Sequence, residues 1–392
     1  MPSATSYLPF AICHPPMTLA LVHDWLNQYG GAERVLEVLV EMYPSAPLYT
    51  SIYWRDGMPP GYRAWDIRTS WLDRAPGIYQ HHQPYLPLYP LAFRSFDLGG
   101  YDVVISNKSG FCHGVPAGDA LHVCYCLAPT RYVWDLDAYV EREALGRAAQ
   151  VALKPLIAWL RRWDYAAAQR VTHFVAISSE IQGRIRKYYN RDAVVIHPPA
   201  DLHRYQPAAS HDDFYLIVSR LIPYKRIDVA IEAFNRLRRP LWIAGAGRDA
   251  ERLQSMAGPT ITFLGRVPDS DLPDLTARCK AFVFPGHEDF GIAPVEAQAA
   301  GRPVIAYGVG GALDSVIDGV SGVLFHEQSA GALMDAVHRL DAIRFDPGAI
   351  RDNAARFDAQ AFKLKLTAFV DKCVSEWTTN QRSSESATGR SR

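Results

Sequence analysis

Residues 281–296, AFVFPGHEDFGIAPVE, decide the fold. The first four are apolar, aromatic and β-branched, a composition typical of a buried strand. A loop with proline and glycine follows, and Gly291 marks the start of a helical segment. Glu288 lies in this loop and Glu296 lies two helical turns into the segment, on the same side of the helix. The stretch therefore predicts a strand, a loop and a helix whose N-terminus can bind a ligand.

The same alternation of strand and helix extends in both directions from this stretch. The apolar runs of the second half are 215–218, 241–244, 261–264, 281–284, 304–306 and 322–325. Those of the first half are 19–22, 102–105, 122–126, 172–177 and 193–196. Segments with helical spacing separate them, including 32–42, 155–170 and 179–189. This order predicts two α/β domains with doubly wound, Rossmann-like parallel sheets.

A proline-rich, polar segment divides the two series. Pro198, Pro199 and Pro207 precede the polar residues 210–213, so the domain boundary is placed near residue 206. The predicted organisation is a loose arm at 1–16, an N-terminal domain at 17–206, a C-terminal domain at 207–358, a helix at 359–377 and a disordered tail at 378–392. Because Met17 directly precedes the first strand, it is a candidate start of the functional chain.

Charge and composition exclude several classes of protein. The 392 residues include 41 basic and 41 acidic side chains, so no overall positive charge is available to bind a long nucleic acid. Six cysteines are scattered along the chain, and we expect reduced, buried thiols rather than disulfides or zinc. No apolar run approaches the about 18 residues of a membrane span, and no secretion signal is evident. We expect a cytoplasmic protein.

Three further loops follow predicted strands, where open parallel sheets bind their ligands. Gly30 and Gly31 let a ligand approach the amides at a helix N-terminus, although a tight turn would need the same glycines. Arg220 ends a strand and Lys225 follows five residues later. The two cations could bind a diphosphate or form a solvated charge pair. Residues 308–312, GVGGA, form another glycine-rich turn before a helix.

Together these loops resemble the family 4 glycosyltransferases of the GT-B fold. The resemblance covers about residues 18–377 and rests on GGAER at 30–34, the Arg220 and Lys225 pair, Glu288-x7-Glu296 and the Gly-Gly turn at 310–311. It implies two Rossmann-like domains facing across a cleft, with a C-terminal helix that crosses back to the N-terminal domain. It also implies a retaining transfer of a sugar from a nucleotide diphosphate sugar, with no cofactor and no catalytic metal.

The resemblance further implies roles for individual residues. Arg220 and Lys225 would bind the diphosphate, and Glu288 would contact the donor sugar. Glu296 would bind the ribose hydroxyls. The other expected donor contacts are Gly30, Gly31, Val267, Phe290, Gly291 and Ile292. The N-terminal domain would hold the acceptor, with His23, Asp24, Arg131 and Tyr132 as the expected contacts.

One position departs from the family pattern. Many relatives have a histidine near the reacting sugar, and the matching position here is Leu127. Either Arg131, Tyr132 or His113 substitutes for it, or this branch does not need it, or the enzyme is impaired. We favour the second explanation because the leaving phosphate can itself accept the acceptor's proton.

Two other patterns are typical of ligand sites but lack the right context. Asp135 and Asp137 have the spacing of the carboxylate pair in manganese-dependent transferases, yet they do not follow a strand. We therefore expect no metal site. Gly245 and Gly247 match part of a dinucleotide fingerprint, but the third glycine and the acidic partner are missing.

The substrates are predicted from resemblance alone. Residues 100–135 are similar to a mannosyltransferase branch that builds bacterial O-antigen and exopolysaccharide, which implies transfer from GDP-mannose to a glycan or polyprenyl-linked glycan. A UDP-sugar donor, a catalytically impaired binding protein and a sugar-nucleotide epimerase are the alternatives. Residues 154–163, KPLIAWLRRW, combine tryptophans with cations. They could contact an anionic membrane surface at its cytoplasmic face, or form a core helix with a solvated arginine pair.

Overall fold

The N-terminal half is built on a seven-stranded parallel sheet. The computed structural model describes residues 17–135 and 147–388; the predicted arm at 1–16, Asp137 and the last residues of the predicted tail lie outside them. The strands are β1 (Leu19–His23), β2 (Leu48–Thr50), β3 (Ile67–Thr69), β4 (Val103–Lys108), β5 (Leu121–Cys126), β6 (His173–Ala176) and β7 (Ala193–Val195). Their order is β3-β2-β1-β4-β5-β6-β7.

Helices cover both faces of this sheet. They are α1 (Gly31–Met42), α2 (Tyr89–Arg94), α3 (Arg131–Trp134), α4 (Arg147–Arg170) and α5 (Ser179–Tyr189). The side chains of Val35, Leu36 and Leu39 form one buried face of α1, as their helical spacing requires. The sequence prediction for α4 was wrong at its start, because the helix begins at Arg147 and contains Pro155 in its interior.

The C-terminal half is built on a six-stranded sheet of order β10-β9-β8-β11-β12-β13. Its strands are β8 (Tyr215–Val218), β9 (Leu241–Ala244), β10 (Ile261–Gly265), β11 (Ala281–Phe284), β12 (Val304–Tyr307) and β13 (Gly322–Phe325). Its helices are α6 (Ile227–Leu237), α7 (Ala250–Met256), α8 (Leu272–Arg278), α9 (Ile292–Ala299), α10 (Ala312–Ser315), α11 (Ala330–Ala342) and α12 (Pro347–Ala355). All paired strands of both sheets run parallel.

The last helix, α13 (Ala359–Thr388), crosses back to the N-terminal sheet. Phe362 packs edge-on against Tyr125 of β5, with 5.5 Å between ring centroids, and Lys363 pairs with Glu41 of α1 at 2.6 Å. The predicted crossover is therefore present. The helix continues past Trp377 to Thr388, into the segment for which the sequence predicted a disordered tail.

Each sheet has one point at which the strand order reverses. These points lie between β1 and β4 and between β8 and β11. Ligands of doubly wound sheets bind outside the carboxyl ends of the strands at such points. The loops 24–31, 109–114, 219–226 and 285–291 leave the two sheets there, and they carry most of the residues singled out by sequence. Within the described residues, no helix is long and apolar enough to cross a membrane.

Candidate functional site

Lys225 and Glu288 form an ion pair at the carboxyl edge of the second sheet. Lys225 ends the 3-10 turn Pro223–Lys225 after β8, and Glu288 lies in the loop after β11. Both side chains are mostly buried. A small cavity beside the pair is lined by Ser219, Lys225 and the backbone segment 284–286. An amine and a carboxylate thus meet beside a small cavity at the carboxyl edge of the sheet.

Arg220 lies beside this pair at the exposed rim. Its guanidinium donates to the hydroxyl of Tyr224 at 3.4 Å, and its side chain is exposed. Arg220 adds a positive charge beside Lys225, whose own charge is paired with Glu288, and such a pair of cations suits a ligand with phosphates.

Glycines hold the loops of this edge close together. Gly291 has φ +87°, and a Cβ there would lie 2.6 Å from the Phe284 ring. The amide of Gly311 donates to the carbonyl of Glu288 at 2.9 Å, and a Cβ at Gly311 would collide with the backbone of Phe290. The Gly-Gly turn at 310–311 therefore packs directly against the loop that carries Glu288.

Phe290 and Ile292 lie at the start of α9. Phe290 is buried between His197 and Phe357, with both ring centroids 5.4 Å away. A Cβ at Gly31 would lie 3.7 Å from Cδ1 of Ile292, so α1 of the first domain approaches α9 of the second. Gly30 is the N-cap of α1. The predicted donor-binding residues of the two domains are thus brought together across one cleft.

Glu296 is held by a residue that the sequence analysis did not assign. Arg34 of α1 donates to Glu296 at 3.1 Å and also pairs with Asp269 at 3.7 Å. Burial raises the pKa of the Glu296 carboxyl, and Arg34 and the hydroxyl of Tyr205 act in the opposite direction. Val267 lies two residues before Asp269, in the loop after β10, and is partly buried. Arg34 therefore joins α9 and this loop to the N-terminal domain.

His23 belongs to a buried polar row at the edge of the first sheet. Its Nε2 lies 3.4 Å from Glu33 Oε1, and its Nδ1 lies 3.2 Å from the amide nitrogen of Asn107. The Asn107 amide also donates to the carbonyl of Ala32 at 2.9 Å. If Asn107 donates to Nδ1, the proton is on Nε2 and points at Glu33. His23 is only 1% exposed, so its place is beneath the cleft surface.

The structure corrects the prediction for Asp24. This carboxylate is fully buried and accepts the amides of Ser109 and Gly110 at 2.6 Å and of Cys112 at 2.8 Å. Both oxygens are used by backbone donors, so Asp24 is not placed to contact an acceptor. It organises the loop after β4, a role that an aspartate beside a strand end does not reveal by sequence.

Arg131 bridges the two domains. It pairs with Asp289, whose other carboxylate oxygen accepts from Arg184 of α5 at 3.1 Å. The neighbouring carboxylate of Asp289 raises the pKa of the Arg131 guanidinium, which stays charged. Tyr132 packs against Phe111 at 5.6 Å. Arg131, a predicted acceptor contact, is thus bound to Asp289, the residue that directly follows Glu288 in the sequence.

A buried network that sequence reasoning missed holds the loop before Arg131. Lys108 is fully buried and donates to the carbonyl of Ala128 and the hydroxyl of Thr130, each at 3.2 Å. Asp164 accepts from Thr130 at 2.8 Å and from Trp134 at 2.6 Å. The nearby carboxylate raises the pKa of Lys108 against the effect of burial. A lysine inside a strand was the available signal, since lysine is rarely buried without a partner.

His113 does not replace the missing family histidine. It is buried, and its Nε2 lies 3.3 Å from the carbonyl of Asp164. Burial lowers the pKa of its imidazole well below the usual value. Leu127 itself is partly buried against the first domain's core, and its amide donates to the carbonyl of Lys108 at 2.7 Å.

The two other patterns have structural roles. Gly245 has φ +146°, and Cβ atoms at Gly245 and Gly247 would collide with the backbone of Ser219 and Leu221. These glycines therefore pack β9 against the Lys225 loop. Asp135 is the C-cap of α3. The described residues contain no group of three or more side chains that could hold a metal ion.

A family model identifies the second domain. The model described as Glycosyl transferases group 1 matches residues 200–356. The match covers most of the second domain. It contains Arg220, Lys225, Glu288 and Glu296, and the Arg34 contact connects it to the first domain.

Curated glycosyltransferases and solved structures are also similar to this chain. The D-inositol 3-phosphate glycosyltransferases of Mycobacterium bovis and Mycobacterium tuberculosis are 28% identical over 197 residues, which is 44% of this chain and 41% of the relative's own length. HepE of Anabaena in complex with UDP superposes with a TM-score of 0.67 at 19% identity, covering 91% of this chain and 100% of that one. Sucrose-phosphate synthase from Thermosynechococcus elongatus superposes with a TM-score of 0.67 at 18% identity, again covering 91% of this chain and 100% of that one. The GT-B fold predicted from the sequence is confirmed.

Proposed function

We propose that this chain is a retaining hexosyltransferase that uses a nucleotide diphosphate sugar and acts on a glycan or lipid-linked glycan. The observation that carries the proposal is the Lys225 and Glu288 pair beside a cavity at the edge of the second sheet. Gly31 of the first domain faces Ile292 of α9, the helix that also carries Glu296. The group 1 glycosyltransferase domain and the GT-B fold support the same activity.

Catalysis in this proposal comes from charges aimed at the leaving group. The bond between the anomeric carbon and the phosphate oxygen breaks, so negative charge grows on the diphosphate and positive charge on the sugar ring. Lys225 and Arg220 stabilise the departing diphosphate, and no metal is needed for that charge. Glu288 keeps Lys225 in place and accepts a hydrogen bond from a hydroxyl of the donor sugar.

Retention follows if the acceptor enters from the face that the phosphate leaves. The acceptor oxygen then forms its bond to the anomeric carbon while its proton passes to the departing phosphate oxygen. No protein base is required, which is compatible with Leu127 at the position of the family histidine. Closure of the cleft through Arg131, Arg184 and Asp289 would exclude water from the reacting bond.

GDP-mannose is the proposed donor, on the resemblance of residues 100–135 to mannosyltransferases. The test is a thermal-shift screen of the purified protein against GDP-mannose, UDP-glucose and UDP-N-acetylglucosamine. A ligand at a hundred times its Kd raises stability by about 2.7 kcal/mol, so the correct donor should give the largest shift. A larger shift in melting temperature with a UDP-sugar would identify that compound as the donor instead. No shift with any of the three nucleotide sugars would refute the activity.

The same screen separates the rival functions when turnover is followed by NMR. A donor that binds but is neither transferred nor hydrolysed indicates a catalytically impaired binding protein. A donor converted to its epimer without acceptor indicates an epimerase. For a retaining transferase, the new glycosidic bond has the anomeric configuration of the donor.

A lipid-linked acceptor would place the enzyme at the cytoplasmic face of a membrane, and α4 offers a surface for it. Lys154, Trp159 and Arg162 are exposed on this helix, whereas Ile157 and Leu160 are buried in the core. Arg161 is engaged in the fold, since its Nε donates to the carbonyl of Val133 at 2.6 Å. The exposed cations and tryptophan suit an anionic headgroup layer.

A further inference from the structure

Three consecutive residues of the loop after β11 have partners in different domains. Glu288 pairs with Lys225 inside the second domain. The residues on either side of it, His287 and Asp289, contact side chains of the first domain. The carboxylate at the centre of the proposed site is therefore flanked in the sequence by two residues that reach across the cleft.

The Asp289 carboxylate is shared by two arginines from separate elements of the first domain. Its Oδ2 accepts from Arg131 of α3, and its Oδ1 accepts from Arg184 of α5 at 3.1 Å. Only 10% of the Asp289 side chain is exposed, so these charge-assisted bonds are largely shielded from water. Neutralising the carboxylate would leave two arginines facing a buried group without charge.

The same two turns of α5 contact the residue on the other side of Glu288. Glu180 accepts from Nε of Arg184 at 2.9 Å and lies 3.6 Å from Nε2 of His287. Arg184 therefore connects the partners of His287 and Asp289 into one cluster of side chains.

α5 also contacts the turn that supports this loop. Ser179 donates to Asp314 of α10 from its amide at 2.7 Å and from its hydroxyl at 2.6 Å. α10 directly follows the Gly-Gly turn at 310–311, and the amide of Gly311 donates to the carbonyl of Glu288 at 2.9 Å. One helix of the first domain thus contacts both the loop that carries Glu288 and the element that packs against it.

We propose that Asp289 is a positioning residue, through which Arg131 and Arg184 of the first domain determine where Glu288 and Lys225 lie. Consecutive Cα atoms are about 3.8 Å apart, so a shift of Asp289 moves Glu288 with it. The inference rests on the proposed glycosyltransferase function and deepens it, because it makes the contacts to the donor sugar and leaving group depend on the first domain. Exclusion of water alone would leave those contacts unchanged.

The nucleotide side of the cleft has its own contact between the domains. Arg34 and Glu296 meet there at 3.1 Å, and these residues are separate from those that bind Asp289. We therefore expect a change at Asp289 to lower the rate of donor cleavage without an equal loss of affinity for the nucleotide.

Hydrogen exchange of backbone amides in the full chain tests the positioning role without any substrate. Asp289→Asn and Arg184→Gln should each lower the protection of segment 285–291 about fivefold, the change expected for one lost ion pair that is partly exposed. Arg184 is 105 positions away from Asp289, so its effect on this segment can only pass through the fold. Asp192→Asn is the matched control, since it breaks an exposed pair with Arg186 and should leave the segment protected. Unchanged protection in Arg184→Gln would overturn the proposal.

Kinetics test the consequence for the reaction, with GDP-mannose as donor and methyl α-mannoside as acceptor. Asp289→Asn should lower kcat for nucleoside diphosphate release about ten- to hundredfold, as for a reacting group displaced by about 1 Å, while the Kd for GDP stays within about twofold. Arg184→Gln should act in the same direction, and the double variant should be no slower than Asp289→Asn, because both changes remove one shared contact.

Two kinetic results would count against the positioning role. A normal release rate with a larger share of mannose passed to water would show that Asp289 only excludes water. A parallel loss of kcat and GDP affinity would show that it supports the cleft as a whole. If the wild type binds GDP but cleaves none of the nucleotide sugars, the proposed function fails, and the exchange measurement alone decides whether Asp289 positions Glu288.

Discussion

Replacement of Arg34 by leucine should weaken nucleotide binding about tenfold. Arg34 and Glu296 are 3.1 Å apart, and unit charges at that distance attract by roughly 5 kcal/mol at an effective dielectric constant of about 20. Because a third of the Arg34 side chain is exposed (34%), screening and desolvation offset most of this. About 1–2 kcal/mol is left for keeping Glu296 ionised and in place, and losing that preorganisation should weaken the ribose contact by about tenfold.

The effect should depend on pH in a defined direction. Burial already raises the pKa of Glu296, and Arg34 opposes that rise. Without Arg34 the carboxyl takes up its proton at a higher pH, and a protonated Glu296 is a weaker acceptor for ribose hydroxyls. Affinity of Arg34→Leu for the free nucleoside diphosphate should therefore recover as the pH is raised, more steeply than in the wild type.

Isothermal titration calorimetry between pH 6 and 8 measures this. Arg34→Lys keeps a positive charge and should recover part of the affinity, and Arg186→Leu, which breaks an exposed pair with Asp192, should change nothing. Tighter binding by Arg34→Leu would refute the reasoning, because Arg34 would then compete with the ribose for Glu296. An affinity that is equally lowered at every pH would show that Arg34 acts on folding or on the cleft geometry instead.

Four further predictions follow from the site and its surroundings. Lys225→Ala should lower turnover by about a hundredfold or more while the fold persists, as measured by nucleoside diphosphate release. Transfer should continue in EDTA at the rate seen with added Mn²⁺. Unfolding free energy should fall as the pH drops from 6.5 towards 4, because burial lowers the pKa of His122 to about 4 and the unfolded chain binds the proton first. Arg162→Glu should abolish flotation with anionic liposomes at low salt, where the wild type floats.

Each of these has its own control and its own contrary result. Near-normal turnover of Lys225→Ala would show that this residue does not stabilise the leaving group. Loss of activity in EDTA that Mn²⁺ restores would show that transfer requires a metal. The lowered pKa of His122 corresponds to a loss of about 3 kcal/mol in unfolding free energy once the pH is below 4. His122 lies 2.9 Å from the hydroxyl of Ser106, a contact that His122→Gln can keep. The unfolding free energy of this variant should fall less steeply with decreasing pH than that of the wild type. Wild type that stays at the bottom of the gradient would argue against direct membrane contact.

The fold was largely predictable because the buried strands are continuous apolar runs in strict alternation with helices. All eleven predicted runs are strands in the structure. The edge strand β3 and its neighbour β2 were missed, since LYT and IRT are three residues each and carry no periodicity. The start of α4 was misplaced because Pro155 is typical of a first helical turn, whereas here it lies inside the helix.

The site was predictable where one loop contains the whole signal, as in residues 284–296. Arg34 and Glu296 are 262 positions apart, and only the folded chain shows that they meet. The same holds for Arg131 with Asp289 and for Thr130, which joins Lys108 to Asp164. Asp24 was misassigned because a buried carboxylate that caps a loop and one that faces a substrate have the same sequence context.

The crossing of α13 has a consequence for how the chain is made. Leu366, Val370, Cys373 and Val374 belong to the same core as the strands β1 and β5, although more than two hundred residues separate them from those strands. During synthesis, the first domain therefore leaves the ribosome before α13, which completes that domain's hydrophobic core, has been made. The apolar surface over β5 stays uncovered until the final helix emerges, and a fragment that ends at residue 206 would expose it permanently. Cutting the protein between its two sheets would thus produce one half that aggregates, not two halves that fold.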